Sequence, residues 1–104
     1  MKIELLYFEG CPSWQSALAN LNSALNLESL ASPVALVQIE DDPAATRRKF
    51  LGSPSVHVNG EDLWPQPARE YYMSCRMYRT PEGVRGWPTV EMLRERLQAL
   101  AKES

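Results

Sequence analysis

The segment MKIELLYFEGCPSW, residues 1–14, decides the expected fold because it joins an apolar run directly to a helix start. Residues 2–8 are rich in large apolar side chains and form a short run, which predicts a buried β-strand. Cys11 then precedes Pro12, and proline favours the first helical position because its missing N–H is not needed there. The spacing of apolar residues that follows predicts a helix over 12–30, with Cys11 at its start.

The chain beyond this segment continues to alternate between strands and helices. A β-branched run at 34–40, VALVQIE, predicts a second strand, and the Asp-Pro pair after it predicts a short helix over 43–50. A third run at 55–59, SVHVN, ends in an Asn-Gly turn, which predicts a hairpin with its return over 61–64. Thr89 is placed to cap a last amphipathic helix. The order β-α-β-α-β-β-α predicts an α/β fold with helices on both faces of the sheet.

Composition and charge limit the classes of partner. The 104 residues contain no linker and fit one domain, residues 1–104. A net charge of -2 and the lack of a basic patch argue against a nucleic-acid partner. No apolar run approaches the ~18 residues of a membrane span, and the first residues lack a signal-peptide cleavage site. We therefore expect a cytoplasmic monomer or homodimer with no membrane partner.

Residues 65–87 form the least regular part of the sequence. They are rich in proline and aromatic residues and predict an inserted, ordered loop before the last helix, with a short helical turn near 70–78. Loops of this length in small domains are often functional. The aromatic residues predict a satellite core under the loop or, as the alternative, a dimer interface. They are Trp64, Tyr71, Tyr72, Tyr78 and Trp87.

The position of Cys11 favours thiol chemistry. The thiolate is the reactive form of cysteine, and the unpaired backbone N–H groups and dipole at a helix N-terminus favour it. We therefore expect Cys11 to be a reactive thiol, and the alternative is a small buried residue. The other cysteine, Cys75, lies in the predicted loop. No cysteine, histidine or carboxylate spacing typical of a zinc site is present, and no cofactor motif is found, so neither a metal nor a cofactor is predicted.

Three features resemble the thioredoxin-like superfamily. They are the cysteine after the first strand, the Gly-Ser-Pro-Ser-Val segment at 52–56 before the third strand, and a βαβ unit followed by a ββα unit. The likeness covers roughly residues 2–64 and 88–102, and it extends to small bacterial monothiol members with a similar Ser-Cys-Arg-x-Tyr-Arg-Thr segment. Some of those are labelled as relatives of alkylmercury lyase. The resemblance implies a thioredoxin-like three-layer sandwich, a cis peptide bond before Pro54, and a substrate backbone docked on Ser53.

One position departs from the thioredoxin pattern. Trp14 stands where that pattern has a second cysteine, so exchange through Cys-x-x-Cys is excluded, and Trp14 is expected to cover one side of the Cys11 sulfur. As a redox protein that exchanges thiols and disulfides, the chain would use Cys11 as nucleophile and Cys75 as resolving thiol. Its partner would be a protein or small-molecule thiol or disulfide.

Three alternatives remain open at the level of sequence. Cys11 and Cys75 together would suit a soft metal ion or an organomercurial ligand, so the chain could be a binder without turnover. A second alternative is a non-catalytic thioredoxin-like module that binds a partner through residues 65–87. Cys75 could also be a buried packing residue. The only histidine, His57, is expected to be a satisfied or partly exposed residue of the third strand rather than a catalytic base, and the arginines near Cys75 are expected at the surface.

Overall fold

Residues 1–103, which the computed structural model describes, form three helices and six strands. The predicted order is confirmed as far as residue 64, and two further strands follow it. The elements are β1 (Ile3–Tyr7), α1 (Trp14–Leu27), β2 (Val34–Gln38), α2 (Asp42–Arg48), β3 (Ser55–Val58), β4 (Glu61–Asp62), β5 (Tyr78–Thr80), β6 (Gly83–Arg85) and α3 (Val90–Glu103).

The main sheet is mixed and has the strand order β2-β1-β3-β4. β1 runs parallel to β2, with Ile3 opposite Val34, and antiparallel to β3, with Ile3 also opposite Val58. α1 makes the crossover that a parallel pair requires. β3 and β4 form the predicted hairpin, in which His57 lies opposite Asp62. The α/β class expected from the sequence is therefore confirmed.

The side chains of β1 alternate between two hydrophobic cores. Ile3 and Leu5 face α1 and α3, whereas Leu6 belongs to a smaller core with Phe50 on the side of α2. Burying each large apolar side chain contributes about 1.5–3 kcal/mol. Two such cores fix which face each helix covers. The larger core comprises Ile3, Leu5, Ala17, Leu21, Ala24, Leu25, Val56, Val58, Leu63, Leu93 and Leu97.

The predicted helix starts are partly wrong. α1 begins at Trp14 with Ser13 as its N-cap, not at Pro12, because the Cys11 N–H closes a turn onto the carbonyl of Phe8 at 3.0 Å and keeps these residues outside the helix. α1 also ends at Leu27, before the predicted residue 30. The predicted cap of α3 is confirmed, since the Met92 N–H donates to the hydroxyl of Thr89.

The loop before α3 also differs from the prediction. The helical turn expected near 70–78 is wrong, because residues 70–77 are not helical and Cys75 forms an isolated bridge with Ser53. Residues 78–85 then form an antiparallel hairpin from β5 and β6. The aromatic residues do not form a separate core either: Trp64 packs on the core of α1 and α3, Tyr71 packs on the core of α2, and Tyr72 is exposed. No helix within residues 1–103 combines the length and the apolar character needed to cross a membrane.

Candidate thiol site

Cys11 lies in the turn that leads from β1 into α1. Its Sγ donates to the carbonyl oxygen of Ser53 at 3.7 Å, and the residue is only 4% exposed. The N–H of Phe8, in the same turn, donates to the Ser53 hydroxyl at 3.4 Å. The structure therefore brings Cys11 and Ser53 together across the start of β3.

Ser53 precedes a cis peptide bond to Pro54, as the resemblance implied. Its backbone is paired with the chain's own residues 74–76, which we call the strap. The Ser53 N–H donates to the carbonyl of Ser74 at 2.8 Å, and the Arg76 N–H donates to the carbonyl of Ser53 at 2.9 Å. The residue between them, Cys75, is consequently the parallel bridge partner of Ser53.

The two cysteines differ in access. Both are free thiols, but Cys75 is exposed whereas Cys11 is buried. The alternative in which Cys75 is a buried packing residue is therefore wrong. The carbonyl of Ser53 accepts both the Cys11 thiol and the N–H that follows Cys75 in the chain. Ser53 therefore links the turn that carries Cys11 to the strap that carries Cys75.

Arg76 anchors the strap to the sheet. Nη1 donates to Asp62 Oδ2 at 2.7 Å and to the Ser55 hydroxyl at 3.0 Å, and Nη2 donates to the Trp64 carbonyl at 2.7 Å. The guanidinium also lies 5.0 Å from the centre of the Tyr78 ring. Arg76 is only 6% exposed, so its expected place at the surface is wrong. The Asp62 carboxylate compensates the charge of Arg76, and the bonds of the guanidinium hold the backbone beside Cys75 in place.

Gly52 allows the strap to approach this closely. A Cβ at position 52 would stand 3.0 Å from the Cβ of Arg76, and the φ of Gly52 is +117°, which side-chain-bearing residues rarely adopt. Glycine is therefore required there on two independent grounds. The Gly-Ser-Pro pattern pointed to this loop, but only the structure shows what lies against it.

Tyr78 holds the strap from its other end. Its hydroxyl donates to the carbonyl of Pro54 at 2.6 Å, and burial raises the pKa of Tyr78 well above its ordinary value. On the opposite side, the Met73 N–H donates to Asp42 Oδ1 at 3.0 Å, at the start of α2. Hydrogen bonds from Met73, immediately before the strap, and from Tyr78, two residues after it, thus hold the strap in place.

Trp14 and His57 take no part in the backbone pairing between Ser53 and the strap. Trp14 stacks on Tyr7, with ring centres 4.3 Å apart. His57 is 5% exposed, and its Nε2 has no hydrogen-bond partner within residues 1–103, so the expectation of a satisfied or partly exposed histidine is wrong. Burial lowers the pKa of His57, although Asp62, 3.7 Å away, and Glu4 act in the other direction. His57 also lines an open cleft of about 430 Å³ on the α2 side of the sheet.

No group of three or more histidine, cysteine, aspartate or glutamate side chains in the described part of the chain is arranged to hold a metal ion. Comparison with protein-family models, with curated proteins and with solved structures finds no match. The geometry around Ser53 is therefore the basis on which function is argued.

Proposed function

We propose that this protein is a thioredoxin-like domain that carries out thiol–disulfide exchange with Cys11 and Cys75. The sheet order β2-β1-β3-β4, with a cysteine after β1 and a proline before β3, supports the thioredoxin-like assignment. The carrying observation is that both cysteines meet at Ser53, one through its thiol and the other through the adjoining backbone. In this proposal Cys75 takes the place of the second cysteine of the missing Cys-x-x-Cys.

The exposures of the two thiols set the order of the steps. An incoming disulfide reaches the exposed Cys75 first. The Cys75 thiolate attacks one sulfur of that disulfide, forms a mixed disulfide with it and releases the other sulfur as a thiolate. The Cys11 thiol then loses its proton to solvent, attacks the Cys75 sulfur and releases the second thiolate. The protein gains one Cys11–Cys75 disulfide, and the external disulfide is reduced to two thiols. Relative to the sequence-based proposal, the two cysteines exchange roles.

Mass spectrometry with glutathione disulfide as the probe tests this scheme. The wild-type protein should yield an internal disulfide and two equivalents of glutathione. Cys11→Ser should stop at a mixed disulfide on Cys75, and Cys75→Ser serves as its matched control and should react far more slowly. A folded wild-type protein that keeps two free thiols throughout contradicts the proposal.

Thermal unfolding supplies a second readout. In the chain-entropy model, a disulfide that closes a loop of this length stabilises a protein by about 4 kcal/mol. The melting temperature of the oxidised wild-type protein should therefore fall clearly when a reductant is added, whereas that of Cys75→Ser should not change. Equal melting temperatures with and without reductant count against the pairing.

A further inference from the structure

We infer that the strap restricts the thiol site to low-molecular-weight disulfides and excludes recognition of an extended polypeptide. This inference rests on the proposed function and names its substrate class. The strap both covers the backbone edge beside Cys11 and carries the exposed thiol. A substrate that reaches the Cys75 sulfur therefore does not meet free backbone groups at Ser53.

Recognition of an extended peptide requires free backbone donors and acceptors. A peptide that adds to a sheet edge gains its affinity from main-chain hydrogen bonds. At Ser53 the donor is used by Ser74 and the acceptor is used by Arg76. A polypeptide substrate must first displace the strap, whereas a small disulfide has no need of that edge.

Displacement of the strap is opposed at several points. It would break the ion pair between Arg76 and Asp62, and leaving either charge buried without its partner is strongly unfavourable. The bond from the Tyr78 hydroxyl to Pro54 and the bond from Met73 to Asp42 hold the flanking residues. Gly52 leaves no gap between the strap and the loop beneath it. The strap is therefore a built part of the fold rather than a loose cover.

Exchange with a small disulfide needs no change in this arrangement at its first step. The Cys75 thiolate attacks the external disulfide from the exposed side, one thiol leaves, and Cys11 resolves the mixed disulfide as described above. The external disulfide is the oxidant, and it accepts both electrons.

Two probes with matched sulfur chemistry test the inference. One is glutathione disulfide, and the other is the symmetrical disulfide of an extended eight-residue peptide with a central cysteine. Wild-type protein should react with the peptide disulfide no faster than with glutathione disulfide. A wild-type rate more than about tenfold higher for the peptide, the gain expected from two backbone hydrogen bonds, overturns the inference while leaving the proposed function standing. Failure of both probes to react with folded protein refutes the proposed function itself.

Releasing the strap provides the complementary test. The double variant Arg76→Met/Asp62→Asn removes the anchor without leaving a buried charge, and it should gain about tenfold on the peptide probe relative to glutathione disulfide. Arg79→Met, an exposed arginine close by on β5, is the control and should keep the wild-type ratio. Hydrogen exchange at the Ser53 and Arg76 amides checks that the strap opens only in the double variant. An opened strap with an unchanged ratio contradicts the inference.

Discussion

Replacing Arg76 by methionine should strongly destabilise the protein. The substitution keeps the apolar stem but removes three side-chain hydrogen bonds, and it leaves the buried carboxylate of Asp62 without its cation. Removing one partner of a buried ion pair costs about 3–5 kcal/mol. For a domain whose total stability is about 5–15 kcal/mol, this is a large fraction.

Urea unfolding followed by tryptophan fluorescence measures the loss. Asp62→Asn in the same chain removes the stranded charge but retains an oxygen for the Trp64 N–H, so Arg76→Met/Asp62→Asn should be more stable than Arg76→Met alone. Arg79→Met should change stability by less than about 0.5 kcal/mol, as exposed substitutions do. If Arg76→Met costs no more than that control, or if the double variant shows no recovery, the anchoring argument is refuted.

Three further predictions concern neighbouring residues. Tyr78→Phe should lower the free energy of unfolding by about 1 kcal/mol at neutral pH, because it removes the hydroxyl hydrogen bond. Burial raises the pKa of Tyr78, so above pH 10.0 the unfolded chain loses a proton that the folded chain keeps, and the stability of the wild type should fall further than that of Tyr78→Phe. Alkaline unfolding curves of both proteins check this difference. Burial lowers the pKa of His57, so below pH 6.5 the unfolded chain binds a proton that the folded chain does not. The free energy of unfolding in urea should therefore fall more between pH 7.5 and 5.5 for the wild type than for His57→Asn. An equal fall in the two proteins excludes this explanation. Gly52→Ala should destabilise more than Gly60→Ala in thermal unfolding, since both positions have positive φ but only Gly52 has a neighbour within 4 Å; equal losses would mean that contact with the strap is unimportant.

The elements that the sequence predicted share one property, which is that their signals are local. The apolar runs of β1, β2 and β3 and the Asn-Gly turn each lie within a few residues, so periodicity and turn chemistry are enough to place them. The proximity of Cys11 to the loop at residues 52–54 followed only from the resemblance. Helix starts were less well placed, because the turn from Phe8 to Cys11 depends on a single backbone hydrogen bond.

The strap could not be predicted because its contacts join residues that are far apart in sequence. Its pairing with Ser53 uses backbone groups, which do not require particular side chains. Arg76 was expected at the surface because charged residues are seldom fully buried unless paired, and its partner Asp62 lies 14 residues away with no pattern linking the two. The hairpin of β5 and β6 has strands of three residues, too short to show an alternation.

The anchor and the proposed chemistry are linked through the chain itself. Because Cys75 immediately precedes Arg76, movement of Cys75 away from Ser53 strains or breaks the contacts that Arg76 makes with Asp62. The first exchange step takes place at an exposed sulfur and does not depend on that anchor, whereas the second step requires the strap that carries Cys75 to stay paired with Ser53, which Cys11 contacts. Arg76→Met/Asp62→Asn should therefore form the mixed disulfide with glutathione at the wild-type rate but convert it to the internal disulfide more slowly. Stopped reactions resolved by mass spectrometry separate the two rates, and equal slowing of both steps would show that the strap influences the reactivity of Cys75 rather than its position.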